Sequence, residues 1–137
     1  LVGSEMCIRD REKGLEIVRI GTVRDIMKRG FINARANGPQ QFLGLVRDAD
    51  FVVTTSFHGT VFSILYERQF LCVLNNNDRN SRMETLLSGL GLDSRMIRNI
   101  HNSKISKVSI INYQDVNARL AELREESMQF LNNSIKE

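Results

Sequence analysis

The 137-residue chain has no tryptophan, one proline, two cysteines and two histidines, and each scarcity removes a class of protein. Two cysteines cannot build the disulfide framework of a small secreted domain. Cys72 lies in an apolar stretch, where a thiol packs as a small hydrophobe, and Cys7 carries no functional weight. His58 and His101 have no cysteine or carboxylate company at ligand spacing, so no metal site is expected, and His101 reads as a surface residue. One proline among nine glycines excludes collagenous and proline-rich chains. No apolar run approaches the roughly 18 residues of a spanning helix. The net charge of +3 suits an anionic substrate, but the charges are scattered and aromatics are only 7%, so the clustered basic and stacking surface of a nucleic-acid binder is missing. What remains is a cytoplasmic protein, working in solution or against the inner face of the membrane.

What is present is ordinary globular material. With 42% hydrophobic and 26% charged residues, the chain has enough length and apolar content for one cored domain. Residues 1–13 show no period, resemble translated adaptor read-through, and are set apart as a non-native leader; the domain is expected over 14–137. Leu15 to Ile20 reads as a strand closed by Gly21, and residues 22–37 are less legible. Gly38-Pro39 opens a helix, since proline costs nothing at the first helical position, and Phe42, Leu43 and Val46 follow at helical spacing to Asp48.

The stretch from Asp50 to Leu74, DFVVTTSFHGTVFSILYERQFLCVL, organises the rest. Phe51 to Thr54 is a continuous apolar run that reads as a strand covered on both faces, Val61, Ile64 and Leu65 mark a helix over about 59–67, and Gln69 to Leu74 supplies a second strand. Helix, strand, helix, strand is the order of a parallel, Rossmann-like α/β sheet with helices on both faces. Ligands gather at the carboxyl ends of such strands, where the next helix offers unpaired N–H groups to anions, and Ser56, His58, Gly59 and Thr60 fall there. Beyond a polar loop over residues 75–81, Ser81 caps a helix from Arg82 to Leu90, stopped by Gly91. Asp93 to Ile97 reads as a short helical turn. Residues 113–135 place Val116, Leu120, Leu123, Phe130 and Leu131 near one stripe, a long amphipathic helix.

Gly38-Pro39-Gln40-Gln41-Phe42-Leu43, Ala49-Asp50, the segment SFHGTVFS over 56–63, Ser81-Arg82 and Leu86-Leu87 before Gly91-Leu92 together resemble the polysaccharide pyruvyl transferase family, over about residues 14–135. The resemblance implies transfer of a pyruvyl unit from phosphoenolpyruvate to hydroxyls of a sugar, glycolipid or polysaccharide precursor, commonly as a ketal on a cell-surface or exported glycan. It also implies the C-terminal half of a two-domain, GT-B-like enzyme. A chain holding only that half would be inactive alone and would self-associate through the surface the other half covers.

Addition to phosphoenolpyruvate needs anion holding, proton delivery to the methylene carbon, and deprotonation of an attacking hydroxyl. Histidine serves either proton role near neutral pH, and arginine and helix-terminal N–H groups suit the anions. On that basis His58 is the candidate acid or base, Gly59 and Thr60 offer backbone donors, Ser56 a hydroxyl, and Arg82 a bidentate contact; no cofactor is required. Some members of the family carry arginine two residues before the histidine, where this chain has Ser56, so Arg82, Arg79 or a residue elsewhere takes that part. Two other classes stay open: half of a nucleotide-sugar glycosyltransferase, which a nucleotide would protect from heat, and a non-catalytic interaction module, which neither ligand would protect.

Overall fold

The computed structural model describes residues 18–19, 32–33, 38–74, 80–98 and 109–135. The chain divides into two compact units, Leu1–Leu45 and Val46–Glu137. In the first, β1 (Val18–Arg19) pairs in parallel with β2 (Ile32–Asn33), and Val18 and Arg19 are the described residues of the strand expected over 15–20. Helix α1 (Pro39–Asp48) begins at the proline, and the Phe42 amide donates to the Gly38 carbonyl at 3.0 Å to close its first turn.

The second unit is built on β3 (Phe51–Thr54), β4 (Gln69–Val73) and β5 (Met96–Ile97), adjacent in that order and all parallel. Helix α2 (Phe57–Leu65) joins β3 to β4; helix α3 (Ser81–Gly89) and a 3-10 turn (Asp93–Arg95) lie between β4 and β5. Helix α4 (Tyr113–Ile135) has the boundaries its periodicity predicts. The α/β class and the parallel pairing of the two strands around α2 are therefore as expected.

The register places Val52 beside Phe70, Thr54 beside Cys72 and Cys72 beside Met96 on one face. Ile64 from α2, Met83 and Leu87 from α3 and Val116 from α4 join Phe70 and Cys72 in one buried cluster, with Val52 and Met96 packed against it. Successive crossovers of one hand, advancing in one direction across a sheet, put their helices on the same face. Both α2 and α3 follow that rule, and on the opposite face Leu71 and Ile97 are buried too, at 1% and 8% exposure. The opposite face leaves Phe51 43% and Val53 37% exposed, where the sequence predicted a strand covered on both sides. A continuous apolar run cannot distinguish a central strand from an edge strand, and β3 lies at the edge of this sheet.

Three boundaries also move. Helix α2 starts at Phe57, two residues earlier than expected, because Ser56 is its N-cap. Helix α3 starts at Ser81, with Asn80 in the cap position and without a side-chain cap bond. The stretch over 93–97 is half 3-10 turn and half strand. Gly91, at φ +70°, ends α3 in the left-handed conformation expected of it. The leader at 1–13, the loop residues 75–79 with Arg79, and His101 lie outside the described residues.

Candidate functional site

The turn between β3 and α2 is held by three hydroxyls. Thr54, the last residue of β3, accepts the Ser56 amide on Oγ1 at 3.0 Å and donates back to the Ser56 carbonyl at 3.4 Å. That carbonyl also receives the Thr60 amide at 3.0 Å and the Thr60 hydroxyl at 3.1 Å. Ser56 in turn accepts the Gly59 amide on Oγ at 3.5 Å, which is the N-cap bond of α2. Serine, threonine and threonine at 56, 54 and 60 thus fix the strand-to-helix geometry through bonds between near neighbours in sequence.

The bonding redistributes the expected roles. Thr60 is fully buried, with its hydroxyl 3.6 Å from the Cys72 sulfur, and Gly59 is buried against β3. Their amides are already committed to Ser56. A helix leaves its first N–H groups without intrahelical partners. With Gly59 and Thr60 engaged, the donors left at this terminus belong to Phe57 and His58, which make no backbone hydrogen bond through N–H among the described residues.

Gly59 has a steric reason of its own. A Cβ there would stand 2.3 Å from Thr54 Oγ1 and 3.1 Å from Thr54 Cβ, so only glycine lets α2 settle on the end of β3. Below it, Ser63 donates to the Gly59 carbonyl at 2.7 Å, and Cys72 places its sulfur 3.4 Å from that of Met83. Burial pushes the Cys72 thiol above its ordinary pKa, against a smaller opposing effect of the Thr60 hydroxyl.

His58 is exposed in the first turn of α2, edge-on to Phe57 with ring centroids 6.2 Å apart. Arg82, in the first turn of α3, lies with its guanidinium carbon 5.3 Å from the centroid of the same Phe57 ring. The structure therefore brings His58 and Arg82 together around Phe57, a residue to which the sequence reading gave no role of its own. Its half-buried ring packs on the core while presenting a face and an edge to the two polar side chains. Arg82 takes no part in the ion pairs among the described residues, Arg47 with Asp48 and Arg98 with Glu84. Thr54 is the second residue missed; a hydroxyl closing an apolar strand just before a serine was the available signal.

The arrangement can hold an anion on two amides and one guanidinium beside an imidazole. Among the described residues no group of histidine, cysteine and carboxylate could hold a metal ion. No curated protein and no solved structure matches the chain. A family model described as polysaccharide pyruvyl transferase matches residues 6–77, more than half of the chain, and includes the whole of β3, the capped turn and α2. The chain belongs to the polysaccharide pyruvyl transferase family.

Proposed function

We propose that this segment supplies the donor-binding sheet edge of an enzyme that moves a pyruvyl group from phosphoenolpyruvate to sugar hydroxyls of a cell-surface or exported polysaccharide. The carrying observation is an exposed His58 in the same helical turn as two uncommitted amides, with the Arg82 guanidinium over the adjacent Phe57 ring. One anionic group of the donor rests on the amides of Phe57 and His58, where the helix terminus adds a partial positive charge, and the other pairs with Arg82. Ketal formation adds a proton to the methylene carbon, joins two sugar oxygens to the central carbon and releases phosphate. His58 gives that proton or takes one from an attacking hydroxyl, and Ser56, Gly59 and Thr60 hold the turn that aims it. The proposal includes a GT-B-like architecture in which this is the C-terminal half, and a cytoplasmic site of action. Among the described residues, no helix is long and apolar enough to cross a membrane.

In an active enzyme carrying this segment, His58→Gln should keep its melting temperature and its protection by phosphoenolpyruvate while turnover falls about 10²- to 10⁴-fold. Turnover near the parent value at saturating substrate overturns the proton-transfer role. Arg82→Lys keeps the charge without the planar fork, so donor affinity should weaken with the fold intact. Protection by a nucleotide sugar but not by phosphoenolpyruvate would favour the glycosyltransferase reading instead.

A further inference from the structure

A cavity of about 210 Å³ opens at the other end of the sheet, where β5 begins and α3 finishes. Arg95 lines it and is only 2% exposed. Its Nη2 donates to the Ser109 carbonyl, which is a neutral partner. Neither ion pair among the described residues involves Arg95. A buried guanidinium has five N–H donors and a charge whose removal from water costs several kcal/mol unless an anion offsets it. Burial alone draws the Arg95 pKa down, with the Tyr113 hydroxyl opposing.

A second guanidinium faces the same space. Arg119 lies against Gly91, its Nη1 2.8 Å from where a Cβ would stand, and lines the cavity from α4. Ser94 and Ser109 also line it, and Asp115 is the acidic member, its Oδ2 accepting Asn112 Nδ2 at 2.9 Å. Two cations against one carboxylate leave the cavity net positive.

We propose that this cavity is a phosphate-binding site, separate from the candidate active site at the carboxyl edge, with Arg95 as its buried anchor and Arg119 as its outer clamp. A guanidinium fork matches a carboxylate or a phosphate edge, and two forks arriving from separate elements, the 3-10 turn and α4, suit an oxyanion that offers more than one such edge, as a tetrahedral phosphate does. The volume leaves room for the organic part of a phosphomonoester.

The test is thermal unfolding of the full chain with inorganic phosphate, glucose 1-phosphate and acetate, each against chloride at matched ionic strength. Phosphate should raise the melting temperature in the parent and should still raise it in Arg82→Ala, which disables the other anion site. Arg119→Ala, an exposed substitution, should melt normally in chloride but need at least about 10-fold more phosphate for the same shift. Arg95→Lys should weaken the effect in the same sense. Either phosphate form supports the site, and the stronger one identifies its source. No stabilisation beyond chloride, a shift abolished by Arg82→Ala, an undiminished shift in Arg119→Ala, or equal stabilisation by acetate would overturn the assignment.

Discussion

Gly59 shows how a residue inside a functional-looking motif can be fixed by packing. Gly59→Ala forces a methyl to 2.3 Å from Thr54 Oγ1, and overpacking of this kind costs about 1–3 kcal/mol. The denaturant midpoint should fall accordingly, and a double-mutant cycle with Thr54→Ala should show coupling, because the clash is with that side chain. Glu67 offers a contrasting case. It sits at φ +55° just beyond α2, where an L-residue pays about 1–2 kcal/mol that glycine escapes. Its carboxylate meanwhile accepts Asn117 Nδ2 at 2.7 Å. Glu67→Gly and Glu67→Ala both remove that bond, so their difference isolates the backbone: the glycine variant should be the more stable by about 1 kcal/mol in equilibrium unfolding.

Helix α4 is tied to the sheet mainly through its first turns. Val116 is buried, Tyr113 donates its hydroxyl to the Arg68 carbonyl and lies 3.3 Å from that of Ser63, and Gln69 brackets Ile111 through its side-chain amide. Burial pushes the Tyr113 phenol up to about 12; Arg95 opposes that, Glu67 adds to it and Arg68 opposes it. An unfolded tyrosine titrates near 10, so between about pH 10 and 12 the folded chain holds a proton that the unfolded chain has lost. This contribution is fully present below pH 10 and disappears as pH rises through 12. Tyr113→Phe should flatten that part of the stability profile, as chemical denaturation across the interval would show; an unchanged slope would mean the phenol is not held neutral. The length of α4 was legible because its stripe of Val116, Leu120, Leu123, Phe130 and Leu131 runs for about four turns, and α1 was legible from Pro39. The two-residue β5 was not, since Met96-Ile97 is too short to show a period. Nor was the start of α2, because Ser56 reads as loop until its oxygen is seen capping Gly59. At the candidate site, His58 and Arg82 were singled out by the family resemblance together with their residue type, whereas Phe57 between them, and Arg95 in its cavity, depend on neighbours distant in sequence.

Beyond Leu120 every described residue of α4 is exposed, including Phe130 at 75%, Ile135 at 72% and Leu131 at 49%. Apolar side chains grouped in this way favour association. Phe130→Glu with Leu131→Glu should leave the melting temperature nearly unchanged, since neither side chain packs in the chain's own core, and should lower the concentration dependence of the mass measured by sedimentation. The buried thiol of Cys72 has a different use for the molecule as a whole. Thiolates, not thiols, react with alkylating agents, and this thiol lies between Thr60 under the capped turn and Met83 of α3, on the middle strand. Alkylation therefore waits for β4, α2 and α3 to come apart, and in a Cys7→Ser background its rate becomes a clock for that opening. A ligand settling on the turn above should slow the clock by the factor by which it depopulates the open state, so occupancy could be timed without following any chemical turnover.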